Sequence, residues 1–392
     1  MQDRIEKRQY DWPLMVLFFA LQVGNFVGYV SQAYEAEGIF SLVSKGYILL
    51  YFAAFLLCIL KHPGAMNRSR LVLLLIAMAA VVTASYITNR SVGIVQFVVL
   101  LLGYLALPAY LILTPYLPFK KSMINMMKIF NLLTALFFIY CFFVRPEYTP
   151  QTDALTFGYS NQNRLAIYLI QNMSILLALA KNEKKKLIKI LIVLICLFET
   201  YFVYFTYARI AYICAIVLWL YFLRGNRTTI KKRTIIFVLL LPALFLITVT
   251  AIYNSGIIPH DATLWGKPLF SGREEMFVNI LKYMKLPAWI IGDFGQYQFT
   301  NAHNAFLSIL CTTGLIGLVL FILFFFFALM DLRKYSEKNC YHIMPLVGLL
   351  LLFVEGCAEA ATLVSGAMYA SAAAQLVYLV YYGNWAFEEE QK

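Results

Sequence analysis

The chain has 392 residues, of which 62% are hydrophobic and only 13% charged, and it carries a formal net charge of +12 at pH 7. Its mean hydropathy of +0.74 lies far above that of soluble globular domains, which excludes a soluble enzyme or binding module. The basic residues lie in short loops between apolar runs rather than on one soluble face, so nucleic acid is not an expected partner.

Twelve apolar runs follow one another, and each predicts a transmembrane helix, since one bilayer crossing takes roughly 20 mostly apolar residues. The runs cover 14–32, 43–60, 71–88, 92–114, 123–144, 164–180, 187–207, 208–223, 235–253, 304–330, 341–360 and 363–382. Basic residues accumulate in cytoplasmic loops, and placing the N-terminus in the cytoplasm puts most of the 32 there. The sequence therefore predicts one all-α polytopic membrane domain over 1–392, with both termini cytoplasmic.

The longest connection between predicted spans is 254–302, which this topology places outside the membrane. Residues Ser271 to Glu274 read as a capping box and predict that a helix starts there. Apolar residues then recur at helical spacing until Pro287, at Phe277, Ile280, Leu281 and Met284. The pattern predicts an amphipathic helix that lies on the membrane surface and ends at the proline.

Four basic side chains lie in or beside the first turns of helices predicted to start at the outer face: Arg164, Arg209, Arg273 and His303. A helix N-terminus disfavours a cation by about 0.3 to 1 kcal/mol, and an anionic ligand would relieve this conflict. Helix amides and guanidinium groups both suit a diphosphate. The alternative is that the arginines only anchor the helices at the interface, as Lys45 and Arg90 would do.

His303 and Asn304 lie at the outer start of the tenth predicted span, after an irregular stretch that Gly292 and Gly295 allow. Histidine is largely neutral near pH 7 and can accept a proton from a sugar hydroxyl as a general base. Asn304 would cap the helix or orient the histidine. The alternative is that the pair is only a polar helix start.

Carboxylates inside predicted spans are costly and are therefore functional candidates or partners of the arginines; here they are Glu199, Glu355 and Glu359. Glu35 and Glu37, in the first outer loop, can be read as a metal-binding pair or as an ordinary solvated loop. The seven cysteines show no disulfide or metal spacing, and we expect neither a metal nor a cofactor.

Several segments resemble the conserved region of one family. They are 271–273 (Ser-Gly-Arg), 292–295 (Gly-Asp-Phe-Gly), 303–307 (His-Asn-Ala-Phe-Leu) and 314–317 (Gly-Leu-Ile-Gly). Upstream, 161–166 and 206–211 resemble two helix starts of the same family, although Ala208 stands where the family has serine. This is the O-antigen ligase and polysaccharide polymerase (Wzy-type) family, and the resemblance extends over about 155–320.

The resemblance implies a GT-C-like, metal-independent glycosyltransferase on the outer face of a bacterial cytoplasmic membrane. Its donor and acceptor would be undecaprenyl-diphosphate-linked oligosaccharides in the lipid bilayer, with a flippase and a chain-length regulator as further partners. His303 would activate the acceptor hydroxyl, while the diphosphate would be bound by Arg164, Arg209 and Arg273. Further substrate contacts are predicted for Asn163, Asn304 and Glu199.

Within this family we favour a polymerase, which transfers a growing chain onto the next lipid-linked repeat unit, over a ligase, which transfers finished glycan to a lipid or other acceptor. A flippase or other twelve-helix transporter stays open, although no repeat relates the two halves and the longest loop is external. A metal-dependent polyprenyl-phosphate glycosyltransferase that uses Glu35 or Glu37 also stays open, as does a nonenzymatic membrane scaffold.

Overall fold

The structure is a computed structural model. It describes residues 56, 60, 69–89, 93–117, 119–144, 146–149, 153–159, 161–224, 229–259, 262–264, 267–270, 272–293, 302–360, 363 and 367–391. The first predicted span and nearly all of the second lie outside these ranges. So do several residues singled out from the sequence, namely Glu35, Glu37, Lys45, Arg90, Ser271 and Gly295.

The described part of the chain is almost entirely helical, and each predicted span from the third onward contains a helix. The helices are α1 Ser69–Asn89, α2 Ile94–Leu113, α3 Lys121–Val144, α4 Gln162–Lys181, α5 Lys186–Phe205, α6 Arg209–Leu223, α7 Lys232–Ser255, α8 Arg273–Tyr283, α9 Leu286–Ile291, α10 Ala305–Ser336, α11 Met344–Glu355 and α12 Ala367–Glu390. Two short antiparallel strands, β1 Thr263–Leu264 and β2 Lys267–Pro268, precede α8.

Six of the described helices, α1, α3, α4, α5, α7 and α10, are long and apolar enough to cross a membrane. Shorter apolar helices lie at Leu100–Tyr116, Arg209–Leu223 and Met344–Glu355. Most of these helices expose apolar side chains, as helices that face lipid do. The chain is therefore a helical membrane protein.

Helix α4 lies at the centre of the bundle. In its apolar 18-residue stretch 89% of the residues are buried, against 28% in the corresponding stretch of α7. It packs against α5, α6, α11 and α12. Inside the bundle Asn172 donates from Nδ2 to Glu199 Oε1 at 2.6 Å and to the backbone oxygen of Asn131 at 3.1 Å. Asn131 in turn donates to Gln375 at 2.6 Å. Such bonds hold helices together where water is scarce.

Helix α8 begins at Arg273, as the sequence predicts, but the residue before it is not a capping serine. The N-cap is Gly272, with a φ of 76°, which has no side chain to cap the helix, and the predicted cap Ser271 lies outside the described residues. The prediction that the apolar face of α8 lies on the membrane surface is wrong. Phe277 and Ile280 are fully buried, because they pack against side chains of α7 and α10, including Leu246, Val249, Leu307 and Leu310.

Pro287 was expected to end α8, but α8 ends at Tyr283 and Pro287 lies in the first turn of α9 instead. Helix α9 then docks on α10 through two glycines. A Cβ atom on Gly292 would lie 2.3 Å from the backbone oxygen of Thr312, and one on Gly314 would lie 2.3 Å from that of Ile290. Gly314 also interrupts the helical backbone of α10. The two backbones therefore meet where no side chain fits.

Candidate functional site

A cavity of about 350 Å³ lies at the end of the bundle where α4 and α6 begin and α11 ends. Its polar wall includes Asn163, Arg209, Arg273, Glu355 and Glu359. The rest is mostly apolar and aromatic, with Ile167, Tyr207, Ile213, Phe245 and Phe270. A mostly apolar cavity of this size with a few converging polar groups is typical of a ligand site.

The carboxyl group of Glu359 joins three parts of the chain at this cavity. Its Oε1 atom lies 2.9 Å from Nδ2 of Asn163, at the start of α4, and 3.3 Å from Nδ1 of His303, just before α10. The same oxygen lies 3.6 Å from a guanidinium nitrogen of Arg273, on α8. Glu359 itself is buried. One carboxylate thus holds three side chains that are far apart in sequence.

The electrostatics of this cluster favour an ionised Glu359. Its carboxyl group is buried, but the Arg273 guanidinium, the His303 ring nitrogen and the Asn163 amide all face its Oε1 atom, and such partners favour the charged form of a carboxyl group. Burial lowers the pKa of Arg273, Glu359 opposes this effect, and the nearby charge of Arg209 adds to it. The cluster therefore stabilises the carboxylate form of Glu359.

His303 adopts a left-handed backbone conformation, with a φ of 48°, which is uncommon for a residue other than glycine. Its Nδ1 atom faces the Glu359 carboxylate, so this nitrogen carries the proton in the neutral imidazole and Nε2 keeps a lone pair. The side chain is 27% exposed. His303 is thus held at Nδ1 by an acid and is partly exposed, as a general base needs to be.

Arg209 lies in the first turn of α6 and connects that helix to the end of β2. Its guanidinium group donates to the backbone oxygens of Leu269 at 2.5 Å and Pro268 at 2.9 Å. Ala208 is the N-cap of α6 and offers no side-chain cap. The first-turn residues of α6 line the cavity, so amides of an uncapped helix start lie beside the two arginines.

The remaining predicted residues lie elsewhere. Arg164 is exposed and is not among the residues that line the cavity. Asn304 is fully buried: it caps α10 by accepting from the Leu307 amide at 3.0 Å, and its Nδ2 atom donates to the backbone oxygens of Pro242 and Cys357. Glu199 is buried in the middle of the bundle, where Asn172 donates to it.

The sequence indicates Glu355 and Glu359 as functional candidates or partners of the arginines but assigns neither a specific role. Their spacing of four residues was the available signal, because residues at that spacing share one face of a helical turn. In the structure the amide of Glu359 donates to the backbone oxygen of Glu355 at 3.0 Å, and both side chains line the cavity. The pair therefore belongs to the same wall.

Across the described ranges no group of three or more His, Cys, Asp and Glu residues is placed to hold a metal ion. The predicted site residues that meet at the cavity are Asn163, Arg209, Arg273 and, through Glu359, His303. Comparison of the chain with models of known protein families and with curated protein sequences gives no match.

Proposed function

We propose that the protein is a membrane glycosyltransferase that polymerises undecaprenyl-diphosphate-linked oligosaccharide repeat units into a surface polysaccharide. It would act at the outer face of a bacterial cytoplasmic membrane. The main support is the contact of His303, Arg273 and Asn163 with the single carboxylate of Glu359, at a cavity that also contains Arg209. All of these residues except Glu359 lie in segments that resemble the polymerase and ligase family.

The two arginines provide the positive charge that a diphosphate needs. Arg273 is largely buried, and its Nε atom has no hydrogen-bond partner among the described residues, so it keeps a donor for a ligand. Guanidinium groups bind phosphate oxygens through two parallel hydrogen bonds. Because negative charge on the diphosphate grows as its bond to the sugar breaks, Arg209 and Arg273 would bind the transition state more tightly than the substrate.

The transfer step follows from the orientation of His303. The acceptor hydroxyl oxygen attacks the anomeric carbon of the donor sugar, and the bond from that carbon to the diphosphate oxygen breaks, with its electron pair leaving on the diphosphate. Nε2 of His303 takes the hydroxyl proton. The Glu359 carboxylate orients the ring through Nδ1 and stabilises the imidazolium that forms.

The test is the length of the surface glycan in a deletion strain that carries the wild-type gene or His303→Ala. A matched control is His342→Ala, because His342 lies just before α11, at the opposite end of that helix from Glu355, and also has a left-handed backbone. A blot of the membrane fraction checks that all variants are present at equal levels.

We expect His303→Ala to leave single repeat units without long chains, and His342→Ala to give normal chains. Long chains that form but fail to reach their final acceptor would indicate a ligase. Normal chain length in the deletion strain itself would overturn the polymerase and favour a transporter. Normal chains with His303→Ala would remove this histidine from the transfer step.

A further inference from the structure

Glu355 is a buried carboxyl group at the cavity for which the proposed transfer step has no use. It is the last residue of α11 and is only 2% exposed. Among the residues that the structure describes, neither of its carboxyl oxygens has a hydrogen-bond partner. Buried polar atoms almost always have such a partner, so a group of this kind at a cavity points to a ligand.

The contrast with Glu359, one helical turn further on, is informative. Glu359 has three side-chain partners, which leave little capacity for a ligand at its Oε1 atom. Glu355 lines the same cavity but has no partner within the described chain. Of these two carboxyl groups on one wall of the cavity, Glu359 binds protein side chains, and Glu355 can accept hydrogen bonds from a ligand.

The chemistry of the cavity limits what Glu355 can bind. An anionic group is better bound by the guanidinium groups of Arg209 and Arg273, which line the same cavity. A metal ion would need more ligands than the described residues gather at one place, and it would lie close to two guanidinium groups. A neutral ligand that donates hydroxyl hydrogen bonds fits, because each carboxyl oxygen can accept them.

We propose that Glu355 binds hydroxyl groups of the sugar that is attached to the diphosphate. This inference rests on the proposed function, since it places the diphosphate at the arginines and the adjoining carbohydrate at Glu355. Tyr207, Phe245 and Phe270 supply apolar walls around the same space. The cavity thus has one part for the diphosphate and another for the glycan. Glu355 determines whether a lipid diphosphate that carries glycan binds more tightly than one without it.

The experiment compares the binding of two probes to the purified full-length protein in lipid nanodiscs. One probe is undecaprenyl diphosphate, and the other is the undecaprenyl-diphosphate-linked repeat unit isolated from the deletion strain. The variants are Glu355→Ala and the size-matched Glu355→Gln. Asp293→Asn is the control, because it changes a buried carboxyl group that is not among the cavity-lining residues. Thermal unfolding of each variant verifies its folding.

We expect the wild type to bind the glycan-bearing probe at least about ten-fold more tightly than undecaprenyl diphosphate. Glu355→Ala should remove this preference and leave the affinity for undecaprenyl diphosphate within about two-fold of wild type. Glu355→Gln should keep part of the preference, because its amide oxygen still accepts a hydrogen bond, and Asp293→Asn should keep all of it.

Two outcomes overturn the inference. If both probes bind and Glu355→Ala and Glu355→Gln keep the full wild-type preference, the inference is overturned while the proposed function stands. If the wild type binds neither probe, the proposed function fails and this inference fails with it. A folded Glu355→Gln variant decides the first question even if Glu355→Ala does not fold.

Discussion

The Oε1 atom of Glu359 lies 3.3 Å from Nδ1 of His303, across the junction between the end of α11 and the start of α10. The backbone supports this contact, because the Ala305 amide donates to the Gly356 carbonyl at 2.8 Å. The imidazole is therefore placed by two helices rather than by the 254–302 connection alone. A change at Glu359 should therefore act on the transfer step through the histidine that it orients.

We predict that Glu359→Gln lowers kcat by at least about ten-fold and changes KM little. The amide retains the size of the carboxylate but loses the charge that stabilises an imidazolium at His303. The measurement is the rate of chain extension in membranes supplied with purified lipid-linked repeat units. Glu359→Asp serves as the comparison, since it keeps the charge. Equal rates for Glu359→Gln and wild type would contradict a positioning role.

Of the three arginines that the sequence places at helix starts, Arg209 and Arg164 should differ in importance. Arg209→Gln should reduce chain extension by at least about ten-fold, because Arg209 lines the cavity and holds the backbone of Leu269 and Pro268. Arg164→Gln should reduce it by less than about three-fold, because Arg164 is exposed and is not among the cavity-lining residues. Equal losses in the two variants would show that the cavity does not bind the diphosphate.

Within the described part of the chain, the apolar pattern was sufficient to predict the helices but not the contacts of α8. Long runs of apolar residues specify a membrane helix directly, because the bilayer itself selects them. An amphipathic pattern such as that of α8 states only that one face is buried. The pattern is the same whether Phe277 and Ile280 are buried by lipid or by protein. In this structure α7 and α10 bury them. The sequence carries no signal that separates these two partners.

The candidate site, too, could be predicted from the sequence only in part. The polar residues at helix starts could be found, but not which of them turn toward the cavity. Asn163 and Arg164 are neighbours in sequence, yet Asn163 contacts Glu359 whereas Arg164 is exposed. Successive residues of a helix point about 100° apart, so the rotation of α4 decides between them. That rotation depends on the packing of the whole bundle.

The docking of α9 on α10 makes Gly314 a sharp test of the fold. Gly314 and Gly256 both have a φ of 65°, but a Cβ atom at Gly314 would collide with the backbone of Ile290, whereas nothing lies within 4 Å at Gly256. Gly256→Ala should cost about 1 kcal/mol through its backbone conformation alone. Gly314→Ala should cost at least about 2 kcal/mol more, because the ψ of −170° at Gly314 is nearly restricted to glycine, against 10° at Gly256, and because α9 must also move. Thermal unfolding in detergent measures both, and equal losses would contradict the packing.

The Glu199 carboxyl group lies in the middle of the bundle. Substitutions there test whether Glu199 contacts the substrate. Asn172 donates to its Oε1 atom at 2.6 Å, and Glu199 is not among the residues lining the cavity. Glu199→Gln retains an oxygen that can accept this bond, so we expect stability and chain extension within about two-fold of wild type.

Glu199→Leu is the informative comparison, because it leaves the Asn172 amide in a buried position without this acceptor. We expect a loss of about 1 to 3 kcal/mol of stability, with chain extension reduced only in proportion to the amount of folded protein. A large fall in kcat for Glu199→Gln in fully folded protein would instead place Glu199 in the reaction. It would also favour a proton-coupled process within the bundle over transfer at the cavity.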